Sequence, residues 1–245
     1  MAHYISSIQW PESSIIKIQT SDGFPMILHK PFLKHRWLLY NKQPELALQT
    51  AQSLTKDELQ ALLLFIYSNL PAKLSYVKIF QQCGLTNTAS LQDSTFTEDM
   101  RQMMNDTETF DFKLNAAEEG KFVLCHRPVL AARSKYFKAL FISHSLENET
   151  SEWRCAKPIP FKTLQFFVEY LYTGQINAPE IMHIIPLCWL VRYLRLSNET
   201  EIENIVISNL SRELCDDNVE EISKIAEEWN IRCVKGLVEK HQSTH

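Results

Sequence analysis

The sequence predicts an α+β fold made of two similar units, each a helix cluster flanked by a small sheet, followed by a helical tail. Three observations predict it. Two pairs of short apolar stretches flank turns that end in glycine. Matching elements then recur in the same order further along the chain. The last part carries helical spacing without strand character. The chain has 245 residues, is 45% hydrophobic and 11% aromatic, and so can fill one large core or two small ones.

In the first unit, "SIIKIQ" and "FPMILH" read as strands around "TSDG", a hairpin with Asp-Gly turn chemistry. A helix follows in which Pro31 falls in the first turn, where no backbone donor is needed. A later helix opens at the capping box Thr55-x-x-Glu58.

In the second unit, "FDFKLN" and "KFVLCH" are strands around "AAEEG". Pro128 opens "VLAARSKYFKALF", which reads as one helix with Leu130, Tyr136, Phe137, Leu140 and Phe141 mostly on one side. Pro160 opens a further helix, and Gly174 ends it with the conformational freedom a helix C-terminus uses.

The two units align. Gly23, His29, Pro31, Leu33 and Arg36 lie 97 positions before Gly120, His126, Pro128, Leu130 and Arg133. Leu59, Gln60 and Tyr67 lie 105 positions before Leu164, Gln165 and Tyr172. The second unit therefore holds eight more residues, which fall within the polar "SHSLENETSEWRCAK", read as a surface loop.

Between the units, "TNTASLQDSTFTEDMRQMMNDTET" reads as a polar linker with a short amphipathic helix. After the second unit, "NETEIENIVISNLSREL" places Ile202, Ile205, Val206 and Leu210 on one helical face. "CDDNVEEISKIAEEWNIRCVKGLVEKH" opens at the capping box Asp217-x-x-Glu220 and aligns Val219, Ile222, Ile225 and Ala226.

Several function classes are disfavoured. Neighbouring strand side chains diverge, so Cys125 and His126 make a poor nucleophile–base pair. No glycine-rich phosphate loop is present, and the six cysteines match no metal-ligand spacing, so no cofactor or metal is expected. A net charge of −4 without a long basic run disfavours nucleic acid. The longest apolar stretch, "IMHIIPLCWLV", is too short to span a bilayer and holds Pro186. The start of the sequence lacks a signal-peptide profile, which gives a cytoplasmic or nuclear expectation with reduced thiols.

"FDFKLN…FVLCHRPVLAARSKYFKALF…IPFKTLQFFVEYLYTG" resembles the BTB/POZ domain. The resemblance divides the chain into a degenerate BTB-like domain at 1–90, a linker with a short helix at 91–108, a BTB/POZ domain at 109–212, and a tail at 213–245 that is similar to the BACK (3-box) extension. It implies a non-enzymatic interaction module with protein partners. It implies a charged pocket of Asp111 and Arg127 at a dimer interface, formed by a homodimer or by pairing of the two domains within one chain. It further implies an adaptor role on a Cullin-3-type scaffold of a ubiquitin ligase. The contact residues would be Phe141, Leu146, Asn148, Glu149, Val219 and Ile222, with Asn148 standing where the family carries Glu. The rival reading is a self-associating scaffold, or a recruiter of transcriptional co-regulators, without ubiquitin chemistry.

Overall fold

The computed structural model describes residues 8–68, 76–85, 95–176 and 180–243. The chain divides into two compact units at Asp111/Phe112. The polar stretch 86–94, expected as linker, lies outside the described residues.

The first unit opens with an antiparallel hairpin, β1 (Ile15–Gln19) and β2 (Pro25–His29), with Ile15 opposite His29. Gly23 sits at φ +79°, a left-handed conformation that suits glycine, and this closes the turn. Helices α1 (Lys30–Arg36), α2 (Leu38–Lys42), α3 (Pro44–Ser53), α4 (Lys56–Tyr67), α5 (Val77–Gln82) and α6 (Phe96–Met104) follow. The Thr55–Glu58 capping box forms as expected at α4. Leu28, Leu33, Trp37, Leu59, Leu62, Ile66 and Phe80 fill the core. Each such side chain stabilises the fold by roughly 2 kcal/mol through burial alone.

Helix α6 was expected within a linker, but it packs on α1. Its Phe96, Met100 and Met103 are buried. The buried Arg36 of α1 donates to Asp99 Oδ2 at 2.6 Å and to the Ile66 carbonyl at 3.1 Å, with its guanidinium 4.8 Å from the Phe96 ring centre. An inward arginine needs such partners to offset its desolvation. That requirement ties α6 into the first unit.

The second unit is built on a three-stranded sheet of order β4-β3-β5. Strands β3 (Phe112–Asn115) and β4 (Phe122–Cys125) form the antiparallel hairpin, and Gly120 at φ +73° closes its turn. Strand β5 (Glu152–Arg154) runs parallel to β3, with Trp153 beside Leu114. The extra residues of this unit are therefore not a plain loop. They form a helical turn, α9 (Leu146–Thr150), and then β5. Trp153 anchors the strand, being almost fully buried against the Phe137 ring at 5.5 Å.

The single helix expected after Pro128 is two helices, α7 (Arg127–Arg133) and α8 (Lys135–Ile142). Ser134 breaks them in an extended conformation. Its hydroxyl accepts from the Phe137 N–H at 3.1 Å and donates to the Leu194 carbonyl at 2.6 Å. This is an N-cap that apolar spacing alone does not reveal. Trp37 occupies the matching break between α1 and α2, and its indole donates to the Cys83 carbonyl at 2.8 Å.

Helix α10 (Phe161–Thr173) runs to Gly174 at φ +71°, and α11 (Ile181–Tyr193), α12 (Glu199–Glu213), α13 (Val219–Glu228) and α14 (Arg232–Gln242) complete the unit. In the tail, α13 packs on α11 and α14, and α14 on α12. Ile202, Val206, Leu210, Val219, Ile222 and Ala226 are buried as expected, whereas Ile205 and Ile225 are half-buried. The expected Asp217–Glu220 box is not the cap of α13. Asn218 takes the N-cap position, and its side chain turns back to Cys215 N and the Glu213 carbonyl.

One internal arrangement occurs in both units. His29 N–H donates to Tyr67 Oη at 3.0 Å, and His126 N–H donates to Tyr172 Oη at 2.9 Å. In each case a tyrosine from the last turns of a long helix holds the corner between strand and short helix.

Candidate interaction site

The turn after α8 is held from inside. Arg127, at the start of α7, is almost fully buried. Its guanidinium lies 5.1 Å from the ring centres of both Phe112 and Phe141. It donates to Asn148 Oδ1, to the Asn148 carbonyl at 2.9 Å and to Ser151 Oγ at 2.8 Å. Asn148 is 7% exposed and donates in turn to the Ser143 carbonyl at 2.8 Å and the Phe141 carbonyl at 3.4 Å. Ser145 caps α9 by accepting from Asn148 N, and Ser151 ends it at φ +59°. A carboxamide suits this place because it donates to carbonyls on one side and accepts from a cation on the other.

This wiring sorts the residues singled out in the sequence. Phe141, Asn148, Val219 and Ile222 face inward and are buried within the unit. Leu146 stands out at 70% exposure, and Glu149 is also exposed. Asp111 is half-buried immediately before β3. Cys125 and His126 are both buried with different partners. The Cys125 thiol donates to the Phe112 carbonyl at 3.6 Å, and His126 Nδ1 lies 2.6 Å from Tyr172 Oη.

Besides Leu146, three large apolar side chains of this unit are exposed among the described residues and were not anticipated: Phe122 on β4, Ile142 at the end of α8 and Tyr193 at the end of α11. The Tyr193 ring lies 5.6 Å from that of Tyr136. Burial pushes the Tyr193 hydroxyl up, with Tyr136, Cys155 and Glu147 of α9 adding to it. The available signal for Ile142 was its position off the Phe137–Phe141 stripe of α8. Ile142, Leu146 and Tyr193 are the exposed large apolar side chains of α8, α9 and α11 among the described residues.

Residues 100–210 match the BTB/POZ domain family model. Kelch-like protein 38 of Mus musculus is 37% identical over 76 residues, 30% of this chain and 13% of the relative. Its Rattus norvegicus counterpart is 28% identical over 116 residues, 46% of this chain and 20% of the relative. Kelch-like ECH-associated protein 1A of Danio rerio is 28% identical over 163 residues, 66% of this chain and 26% of the relative. The chain thus spans 13% to 26% of the length of these relatives. The family match starts inside α6, nine residues before the boundary read from sequence at 109. Residues 100–210 are a BTB/POZ domain with Kelch-like relatives.

Proposed function

We propose that this chain is a non-enzymatic adaptor that uses its BTB/POZ domain to join a cullin–RING ubiquitin ligase scaffold of the Cullin-3 type to client proteins. The observation that carries this reading is Leu146, an apolar side chain 70% exposed in the turn after α8 of that domain. Exposed apolar anchors of this kind supply much of the energy of protein interfaces. The first unit serves in the same proposal as an abbreviated copy of the domain. The repeated hairpin, short helix and His–Tyr hydrogen bond support that view. The helices α13 and α14 serve as a BACK-like extension, and Asp111 with Arg127 as a charged pocket for self-association.

The test is titration of a purified cullin N-terminal domain into the full chain, followed by heat or fluorescence polarisation. Saturable binding in the micromolar range or tighter is expected. No signal at tens of micromolar protein overturns the adaptor reading. A second reading, a self-associating scaffold or co-regulator recruiter without ubiquitin chemistry, is favoured by one observation. The family's acidic position is filled by Asn148, whose amide is occupied inside the fold.

A further inference from the structure

Helix α6 falls across a boundary. Its residues 100–104 lie within the BTB/POZ match, whereas packing places it in the first unit, against α1. Phe96, Met100 and Met103 recur at helical spacing and form an apolar face that the first unit buries. Acidic groups on α6 and in the turn after it meet the basic last turn of α1, Lys34, His35 and Arg36. Asp99 Oδ2 accepts from Arg36 at 2.6 Å and from Thr95 Oγ1 at 2.8 Å. Asp106 Oδ2 lies 2.7 Å from Lys34 Nζ and 2.8 Å from His35 Nε2, and Lys34 also donates to Glu108 at 3.1 Å.

We infer that the first unit is a built-in clamp on α6, a docking seat whose competing occupant is the α6 of a second copy of this chain. Every copy carries both halves of the contact, the acidic, apolar-faced helix and the basic last turn of α1. The helix that satisfies this seat is therefore α6, its own or, in a domain swap, that of another copy. Within one chain the two halves meet at an effective concentration that separate copies do not reach, so the closed form prevails.

The seat is selective because its arginine is inside. Only 2% of the Arg36 side chain is exposed, and its guanidinium lies 4.8 Å from the Phe96 ring centre. A helix without a carboxylate at position 99 would leave that buried cation uncompensated. The second tie, at Asp106, is set just past the end of α6, so one register satisfies both. The apolar face supplies attraction, and the two ties choose the helix and its direction. Reversing the charges on one side alone therefore opens the clamp. Reversing both sides, in one chain or in two, closes it again.

Carbodiimide cross-linking of equal amounts of isotope-labelled and unlabelled full chain tests the closed form. Lys34 linked to Asp106 or Glu108 is expected, with both halves of each link carrying the same label. Links of mixed label, or no link at Lys34, overturn the clamp. The second copy is tested with two charge-reversed chains, Lys34→Glu with Arg36→Glu on α1, and Asp99→Lys with Asp106→Lys on and after α6. In each alone, hydrogen exchange of the α6 amides should quicken by about tenfold or more. Mixed, the two chains should regain protection and double the mass that either shows alone in sedimentation. All four changes in one chain should restore protection without that doubling. Where a variant loses its circular dichroism, Lys34→Glu and Asp106→Lys, at the tie away from buried Arg36, replace the two sets. Protection that survives in each variant alone, or a mixture no heavier than its parts, overturns the inference.

Discussion

The backbone N–H of His126 donates to Tyr172 Oη at 2.9 Å, and His126 Nδ1 lies 2.6 Å from the same oxygen. A neutral imidazole that accepts at Nδ1 lets one hydroxyl serve both groups, receiving the amide hydrogen and giving its own. All of these atoms belong to fully buried residues. The pair therefore clamps the strand-to-helix corner onto α10 without help from solvent.

Tyr172→Phe deletes that hydroxyl and leaves a buried amide and a buried ring nitrogen short of a partner. The expected cost is about 1–3 kcal/mol. Urea denaturation followed by circular dichroism measures it. A midpoint equal to wild type would show that the hydroxyl carries no stability.

His29 makes the counterpart contact and responds to pH. Burial lowers its pKa from 6.5 to about 4. The folded pKa lies below the unfolded one, so the unfolded chain takes up the proton first. This contribution to stability is complete above pH 6.5 and is lost as pH falls toward 4, by about 3 kcal/mol. His29→Phe cannot take up that proton. Denaturation curves at pH 7 and pH 4 should therefore show the wild type losing about 3 kcal/mol more than the variant. Equal losses would mean that His29 is not held neutral.

What the sequence discloses, and what it conceals, follows from which signals are local. The hairpins were legible because Gly23 and Gly120 mark left-handed turn positions between apolar strands. The clamp was legible only as a matched pair of letters, since nothing in the spacing of His126 and Tyr172 states that they touch. The break at Ser134 was hidden because helical spacing continues across it, and a single hydroxyl makes the cap. Strand β5 was hidden because three residues with one apolar member carry no period. Arg127 was read into a charged pocket with Asp111, and Asn148 as a contact residue, because polar letters give no sign of the interior network that joins the two. Helix α6 was legible as a helix, but its place on α1 depends on Arg36, far away in the sequence.

The Arg127–Asn148 network gives the third prediction. Asn148→Ala removes an acceptor from a buried cation and two donors from backbone carbonyls. It should cost about 2–3 kcal/mol. Asn148→Asp keeps the acceptor for Arg127 and loses only the donors, so it should cost less than alanine. Thermal denaturation of both variants decides the order. Alanine proving as stable as wild type would remove the network from the account of this turn.

Leu146 and Val219 separate contact from support. Both were assigned to one surface, yet Leu146 is 70% exposed and Val219 only 8%. Leu146→Asp changes a side chain that packs on little, so folding stability should move by no more than about 0.5 kcal/mol. At a cullin interface the same change would bury an unpaired carboxylate where an apolar anchor belonged. Binding in the titration should then weaken by about 30-fold or more, the equivalent of about 2 kcal/mol. Val219→Asp places the charge inside the α11–α13 packing instead. It should lower the melting temperature before it touches binding directly. If Leu146→Asp binds the cullin domain as tightly as wild type, the turn after α8 is not the contact.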